Sequence, residues 1–250
     1  MEEETATSDI AIIGGSGLTK LHNLEIVRRE VVSTPHGDPS GPLIHGNVGA
    51  CAAVFLARHG YRHTIPPHRV NYAANIWALH SIGARQVIAI ASVGTIAAHL
   101  VPGSIVIPDQ IIDYTYARQQ TFFETELEEV THIDFTNPYS ERLRAKLREA
   151  AETMGIEAAG EGTYAVTQGP RLETVAEINR LERDGCDIVG MTGMPEAALA
   201  RELEMEYATC AVVANRAAGR GDDIYEDIEK HLASGVEQVE TLLTALLPLL

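Results

Sequence analysis

Cysteine is scarce in this sequence, and the three that occur show no recognisable spacing. Cys51, Cys186 and Cys210 are odd in number, lie in apolar, strand-like segments and include no CxxC pair. A disulfide framework needs an even set of cysteines, and a zinc or redox motif needs two of them close together. We therefore predict that all three are core thiols.

Basic residues are also in short supply. The chain has 19 Lys and Arg against 35 Asp and Glu, which gives a formal charge of −16. Such a surface repels nucleic acid and anionic membranes, so we predict neither as a partner. An anionic substrate would need a local pocket of positive charge.

Long hydrophobic runs and low-complexity linkers are absent as well. No apolar stretch reaches the length of a membrane span, and the first eight residues, MEEETATS, lack the basic start and apolar run of a secretion signal. We predict a cytoplasmic protein with a flexible tail over residues 1–8. The remaining residues, 9–250, can form one domain around a single substantial core.

Short apolar runs alternate with helical patterns along the chain. The runs predict strands over residues 9–13, 87–93, 104–107, 163–167 and 207–214. Helical patterns cover residues 69–82, 138–154, 172–183, 195–204 and 224–247. This alternation is typical of an α/β fold with helices flanking a central sheet. Because no helix separates 87–93 from 104–107, we predict a mixed sheet.

A glycine-rich turn follows the first predicted strand. In AIIGGSGL, residues 11–18, three glycines can expose backbone amides to an anion, and Ser16 adds a hydroxyl. The spacing lacks the third glycine of a dinucleotide fingerprint and the lysine of a nucleotide P-loop. The motif argues against NAD and ATP, and taken alone it predicts no more than a tight turn.

Six basic side chains fall within twelve positions of this acidic chain: Arg58, His59, Arg62, His63, His68 and Arg69. Arginine offers a planar fork of donors that suits phosphate oxygens, and histidine can add another donor. The segment predicts either an oxyanion site or a basic loop that is solvated or contacts another subunit. We predict no metal site, because no carboxylate or cysteine falls at ligand spacing beside the histidines.

Three predicted strands, 163–167, a short one that begins at 187, and 207–214, run into turns that carry Glu173, Met191 and Asn215. Each residue has an ordinary structural explanation. Glu173, near a helix start, could cap that helix, Met191 could pack in the core, and Asn215 could mark a loop.

Taken together and in this order, five segments resemble the trimeric branch of the nucleoside phosphorylases over nearly the whole chain. They are GGSGL at 14–18, ARHGYRHTIPPHRVNYAANIWAL at 57–79, PGSIVIPDQIID at 102–113, GPRLETVAE at 169–177 and GMTGMPEAALARE at 190–202. The resemblance implies a nucleoside phosphorylase fold, a homotrimer with sites near subunit contacts, and no metal or organic cofactor. The substrates would be a purine nucleoside and inorganic phosphate.

Carried over by position, the resemblance also implies roles for individual residues. Phosphate binding falls to a set of donors: Ser16, Arg58, His59, the backbone around Ser92, and Thr192, which could also donate to the sugar. Met191 would pack against the ribose, and His63 and Tyr72 are further candidates on the sugar side.

The sequence departs from one branch of this family where the base would bind. Members that cleave methylthioadenosine carry an Asp-x-Asp pair after the strand that here ends in VVAN, whereas this chain reads Asn215, Arg216, Ala217. Adenine would lose its carboxylate partners. A 6-oxopurine has a donor at N1 and acceptors at O6 and N7, which suit an Asn215 amide and a Glu173 carboxylate. We expect a 6-oxopurine to leave, with Asn215, Arg58 and His59 as the catalytic residues.

The sugar's 5′ end shows a second departure. Purine nucleoside phosphorylases bind the 5′-hydroxyl with a histidine, but the corresponding count here reaches Glu229, and His231 lies two positions away. Ile228 and Leu232 could instead hold a methylthio group, as apolar side chains do in the methylthioadenosine branch.

The combination predicts S-methyl-5′-thioinosine as substrate, split by phosphate into hypoxanthine and 5-methylthioribose 1-phosphate. Inosine or guanosine, and methylthioadenosine, are the alternative substrates. A nucleosidase that uses water is a further alternative, although it would leave Arg58 and His59 without an anion to bind.

Overall fold

Eleven strands join into one mixed sheet within residues 8–124 and 130–250, the part of the chain that the computed structural model describes. They are β1 (Ile10–Gly14), β2 (Leu24–Glu30), β3 (Leu43–Val48), β4 (Cys51–Ala57), β5 (Gln86–Thr95), β6 (Ile105–Val106), β7 (Gln110–Asp113), β8 (Ala158–Ala159), β9 (Thr163–Val166), β10 (Ile188–Gly190) and β11 (Glu206–Arg216). Their order is β2-β3-β4-β1-β5-β10-β9-β7, while β11 pairs with the other edge of β5 and with β6, which pairs with β8. The predicted tail falls outside the described residues, apart from Ser8.

Helices cover both faces of the sheet and give three layers. They are α1 (Tyr72–Ser81), α2 (Glu141–Thr153), α3 (Val175–Arg183), α4 (Gly193–Glu202) and α5 (Ile224–Leu246). One face packs α1 and α4 into a core that includes Ile76 and Leu199, and the other packs α2 and α5 into a core that includes Leu147 and Val239. In the described ranges, no helix is both long and apolar enough to span a membrane.

The predicted elements are confirmed, and the sheet is mixed as expected. All five predicted strands and all five predicted helices are present, and β5 pairs in parallel with β1 and β11 but antiparallel with β10. The patterns missed β2, β3, β4, β7 and β8. β2 is an edge strand with mostly exposed side chains, and β3 contains a histidine, a glycine and an asparagine. Such strands lack the continuous apolar run that marks a buried strand.

The cysteine prediction is correct for two of the three residues. Cys186 and Cys210 are buried free thiols. Cys51 is also a free thiol, but it is only partly buried, because it lies at the first residue of β4, where the chain leaves the turn after β3.

β5 has two partners along one edge, and a gap lies between them. β1 pairs with β5 from Gln86 to Ala89, and β10 pairs with it only at Gly94 and Thr95. Residues 90–93 have no strand neighbour on that edge, because β1 has already ended in the glycine-rich turn. Open α/β sheets bind ligands where neighbouring strands diverge in this way.

A β-bulge shapes the opposite edge of β5 at the same level. β11 follows β5 in register from Glu206 to Val213, and Asn215 then pairs with Gly94, so Ala214 is an extra residue. Bulges change the direction in which the next side chain points and are common beside functional sites. The predicted base-binding residue therefore lies immediately after a local irregularity in the sheet.

Candidate active site

A cavity of about 280 Å³ lies beside the gap in the sheet, against residues 91–94 of β5. Eleven of the twelve residues predicted for the site line it, and they come from seven separate stretches of chain. The eleven are Ser16, Arg58, His59, His63, Ser92, Glu173, Met191, Thr192, Asn215, Ile228 and Leu232. Tertiary structure thus gathers the predicted site into one place.

The glycine-rich turn is fastened to the strands around it. The backbone N–H of Arg58 donates to the carbonyl of Gly14 at 3.0 Å, and the Ser92 hydroxyl donates to the carbonyl of Ser16 at 3.0 Å. A Cβ atom on Gly15 would lie 2.6 Å from the carbonyl oxygen of Ile90. Glycine is required at Gly15 because the turn passes so close to β5.

Arg58 lines the cavity and forms a buried ion pair with Glu196. Its side chain is 1% exposed, and its Nε and Nη2 donate to Oε2 and Oε1 of Glu196, both at 2.7 Å. Nη1 donates to the carbonyl of Ile90 at 2.8 Å. A guanidinium has five N–H groups, so two have no protein partner among the described residues and can bind an anion in the cavity.

Glu196 keeps this guanidinium charged. Burial alone would lower the pKa of Arg58, but the carboxylate of Glu196 outweighs burial and raises that pKa above its ordinary value. Glu196 also accepts a hydrogen bond from the hydroxyl of Tyr207 at 2.8 Å. Burial and the same carboxylate hold the pKa of Tyr207 well above its ordinary value, so Tyr207 stays a neutral donor.

The His59 ring differs from the expectation that it would donate to phosphate. Its Nδ1 lies 2.8 Å from the carbonyl oxygen of Ile65, which can only accept, so the ring hydrogen is on Nδ1. Burial and the charge of Arg58 lower the pKa of His59 to about 4. The ring is therefore neutral near pH 7, and its N–H is already used within the protein.

Asn215 and Ala217 both line the cavity, whereas Arg216 between them does not. The Asn215 amide donates one hydrogen to the carbonyl of Arg216 at 2.7 Å. Its second N–H and its carbonyl oxygen are left for a ligand. The two positions that carry carboxylates in the methylthioadenosine branch therefore face this cavity, and here neither is acidic.

Glu173 does not cap a helix. Thr174 is the N-cap of α3, and it forms a capping box with Glu177. Oε1 of Glu173 instead accepts a hydrogen bond of 2.6 Å from the Thr167 hydroxyl at the end of β9. This bond holds the carboxylate on the cavity wall with Oε2 left to accept from a ligand.

The segments that carry Glu173 and Met191 are tied together by Arg118. Its guanidinium donates to the carbonyls of Met191 at 2.9 Å, Met194 at 2.6 Å and Gln168 at 2.8 Å. The carbonyls of Gln168 and Met191 belong to the turns that follow β9 and β10, and that of Met194 lies at the start of α4. Arg118 thus fixes the spacing between the predicted base-binding and ribose-binding segments.

The first turns of α5 supply an apolar wall. Ile224, Ile228 and Leu232 line the cavity, and their spacing of four places them on one face of the helix. His231 points elsewhere, because its Nδ1 would be 3.4 Å from a Cβ atom on Gly103. Glu229 lines a different surface groove, along the outer side of α5. Neither residue lies where it could replace the missing histidine.

Tyr72 is the one predicted site residue that the structure does not place on the cavity. Its side chain is buried, and its hydroxyl donates to the carbonyl of Pro67 at 3.0 Å. Of the six clustered basic residues, Arg58, His59 and His63 line the cavity, while Arg62, His68 and Arg69 do not. The basic cluster is thus divided between the cavity and the surface.

Sequence reasoning missed three residues that orient the site, namely Thr167, Arg118 and Glu196. Only Glu196 left a signal, as the lone carboxylate in the otherwise uncharged run GMTGMPEAALA. The Glu196 side chain is 0% exposed, and a carboxylate buried to that extent requires a cationic or hydrogen-bonding partner. A search of residues 8–124 and 130–250 finds no group of three His, Cys, Asp or Glu side chains that could hold a metal ion.

Known proteins share this fold and chain length. The chain matches the phosphorylase superfamily over residues 9–248. It is 53% identical over 239 residues to a probable S-methyl-5′-thioinosine phosphorylase of Pseudomonas syringae pv. tomato, covering 95% of this chain and 97% of the relative. It is 44% identical over 248 residues to the 6-oxopurine nucleoside phosphorylase of Pyrococcus furiosus, covering 96% and 92%.

A solved structure extends the likeness to three dimensions. Methylthioadenosine phosphorylase from Schistosoma mansoni in complex with tubercidin superposes with a TM-score of 0.91 at 34% identity, covering 96% of this chain and 90% of that one. The fold and the cavity are thus those of a nucleoside-cleaving phosphorylase. The chain belongs to the phosphorylase superfamily.

Removing Glu196 would leave the Arg58 guanidinium buried without a counter-ion. We expect Glu196→Ala to lower the free energy of unfolding by about 3–5 kcal/mol, measured by urea denaturation at a fixed protein concentration. Glu182→Ala is the matched control, because it removes the carboxylate that Arg220 contacts at 2.8 Å near the surface. It should cost at most about 1 kcal/mol. Equal losses in both variants would show that Arg58 does not depend on Glu196.

Thr167→Val removes the hydroxyl that orients Glu173 and keeps the side chain's shape. We expect kcat/KM for the nucleoside to fall about 5-fold to 15-fold, the value of one buried hydrogen bond, with the KM for phosphate unchanged. Steady-state kinetics with each substrate varied in turn measures both. Thr209→Val, buried on β11 away from the cavity, serves as the control. A parallel rise in the phosphate KM would contradict a role confined to the base.

Proposed function

We propose that this protein cleaves S-methyl-5′-thioinosine with inorganic phosphate, releasing hypoxanthine and 5-methylthioribose 1-phosphate in purine salvage. The observation that carries the proposal is the make-up of the cavity wall. It combines an amide and a carboxylate, Asn215 and Glu173, with an aliphatic face of α5. The relatives named for S-methyl-5′-thioinosine and for 6-oxopurine nucleosides support the same choice.

The base end favours a 6-oxopurine by hydrogen-bond matching. The free N–H of Asn215 can donate to O6 or N7, and Oε2 of Glu173 can accept from the N1 proton. Adenine would place the N1 lone pair against the Glu173 carboxylate and would find no acid at position 217. One buried polar mismatch costs about 1–3 kcal/mol, which corresponds to roughly tenfold to hundredfold discrimination.

The 5′ end favours an apolar substituent. Ile224, Ile228 and Leu232 offer only methyl and methylene groups, and His231 faces Gly103 instead of the cavity. A 5′-hydroxyl buried against these side chains would lose its hydrogen bonds to water. A methylthio group would instead gain from burial of its apolar surface.

Catalysis follows from positioning and charge. Phosphate held by Arg58, Thr192 and the glycine-rich turn approaches the anomeric carbon as the bond to the purine lengthens. The ribose gains positive charge and the purine negative charge, so the anionic phosphate stabilises one and the Asn215 amide stabilises the other. Met191 packs against the sugar, and His63 contributes to the same wall. No covalent intermediate with the protein is required.

Further properties form part of the proposal. We infer a cytoplasmic homotrimer that needs neither a metal nor an organic cofactor and binds neither nucleic acid nor membranes. The basis is the family resemblance of the five sequence segments and the formal charge of −16. Size-exclusion chromatography with light scattering measures the assembly, and assays after chelation test for a metal.

Four nucleosides compared under identical conditions test both ends of the cavity. We expect kcat/KM for phosphate-dependent base release to be highest for 5′-methylthioinosine, ahead of inosine, 5′-methylthioadenosine and adenosine. Each mismatch should cost about tenfold or more. If inosine is the best substrate, the assignment of an apolar pocket to the 5′ substituent is wrong. If 5′-methylthioadenosine is the best substrate, the assignment of a 6-oxopurine site to the base is wrong. Base release without phosphate would identify a nucleosidase.

The acidic pair of the methylthioadenosine branch can be restored at the two positions that face the cavity. We expect Asn215→Asp with Ala217→Asp to change the ratio of kcat/KM for 5′-methylthioinosine over 5′-methylthioadenosine by about tenfold or more towards the adenine substrate, because a carboxyl group can accept from the 6-amino group. Arg216→Asp is the control, since Arg216 lies off the cavity. An unchanged ratio in the double variant would rule out these positions as the base selector.

A further inference from the structure

The loop after β4 fixes the orientation of the His59 ring through its own backbone. The N–H of Gly60 donates to the carbonyl of Ala57 at 2.9 Å, and the N–H groups of Thr64 and Ile65 donate to the carbonyl of His59 at 3.0 and 3.1 Å. The chain therefore folds back, and the Ile65 carbonyl meets Nδ1 of the ring. This hydrogen bond determines which ring nitrogen carries the proton.

The other ring nitrogen, Nε2, lies near the positive charge of Arg58 and near no carboxylate that the described residues place beside it. Nε2 has no hydrogen-bond partner among the described residues, and His59 lines the cavity beside Arg58. A second proton on the ring would be repelled by the Arg58 guanidinium, and the neighbouring His63 ring, with its centroid 4.7 Å away, offers no negative charge. Nε2 therefore presents a lone pair, an acceptor next to the donors of Arg58.

We propose that His59 binds phosphate as a hydrogen-bond acceptor, taking the P–O–H of hydrogen phosphate on Nε2, so that the site selects a protonated tetrahedral anion. The proposal rests on the proposed use of phosphate in this cavity. Near neutral pH hydrogen phosphate has one O–H and three bare oxygens. The bare oxygens suit the free N–H groups of Arg58, while the single O–H suits His59. Sulfate has the same charge and shape as hydrogen phosphate but carries no proton. A sulfate oxygen would therefore place its lone pair against the lone pair of Nε2.

This arrangement leaves an unprotonated oxygen for the attack. The new bond joins that oxygen to the anomeric carbon, and the electrons of the broken glycosidic bond go to the purine. Hydrogen phosphate and nucleoside give a sugar 1-phosphate dianion and a neutral purine, so the single proton of the P–O–H is the one that the purine needs. His59 holds that proton away from the reacting oxygen.

Anion binding tests the proposal without requiring turnover. Isothermal titration calorimetry at neutral pH should show phosphate binding about tenfold to hundredfold tighter than sulfate, the value of a hydrogen bond to a charged group. His59→Phe keeps the ring shape and removes Nε2, and it should bring the ratio near one by weakening phosphate alone. His80→Phe, on α1 and off the cavity, should keep the preference. Equal binding of both anions by the natural protein, or equal weakening of both by His59→Phe, would overturn the proposal.

Proton linkage gives a second test on the unmodified protein. Above the second pKa of phosphate, titrations in two buffers of different ionisation enthalpy should show no net proton uptake, whereas a donating His59 would take up about one proton per phosphate. Uptake of a proton would therefore refute the acceptor role. If phosphate is preferred over sulfate but no nucleoside is cleaved, the substrate assignment fails and His59 keeps its role. If neither anion binds, both proposals fail.

Discussion

The site depends on the ion pair between Arg58 and Glu196. The Arg58 guanidinium is 1% exposed, and the carboxylate of Glu196, buried with it, is its counter-ion. The pair joins the loop after β4 to helix α4 across the opening in the sheet. Because Glu196 occupies one edge of the guanidinium and the carbonyl of Ile90 takes a further N–H, only two donors are left for an anion. The interaction therefore fixes the direction in which the Arg58 guanidinium presents its remaining donors.

Backbone geometry supplies the second constraint. The gap between β1 and β10 exposes residues 90–93 of β5, and the bulge at Ala214 directs Asn215 towards the same space. Neither feature needs a special side chain at the site itself. Together they explain why residues from the glycine-rich turn, the loop after β4 and the end of β11 meet in one cavity, although they are far apart in sequence.

The proposed substrate choice requires differences at only a few positions of a shared fold. The methylthioadenosine phosphorylase from Schistosoma mansoni keeps this fold with a TM-score of 0.91 at only 34% identity. In the function proposed above, the base is distinguished at Asn215 and Ala217, which face the cavity, while Arg216 between them turns towards Asp227. Changes at two side chains can therefore alter the hydrogen-bond pattern without disturbing the core.

The sequence by itself determined the α/β class, the five helices, several of the buried strands and the identity of most cavity residues. Local periodicity and short motifs carry the information on the fold. The resemblance of five segments to a known family adds the assignment of individual residues to the site. β2 and β3 escaped prediction, because β2 is an edge strand with mostly exposed side chains, and the apolar residues of β3 are interrupted by His45, Gly46 and Asn47.

Tertiary structure alone decided which groups act on which. It paired Arg58 with Glu196, placed the Thr167 hydroxyl against Glu173, and left Tyr72 and His231 off the cavity. It also set the carbonyl of Ile65 against Nδ1 of the His59 ring. These outcomes depend on distances between segments remote in the chain and on burial, which no local pattern encodes.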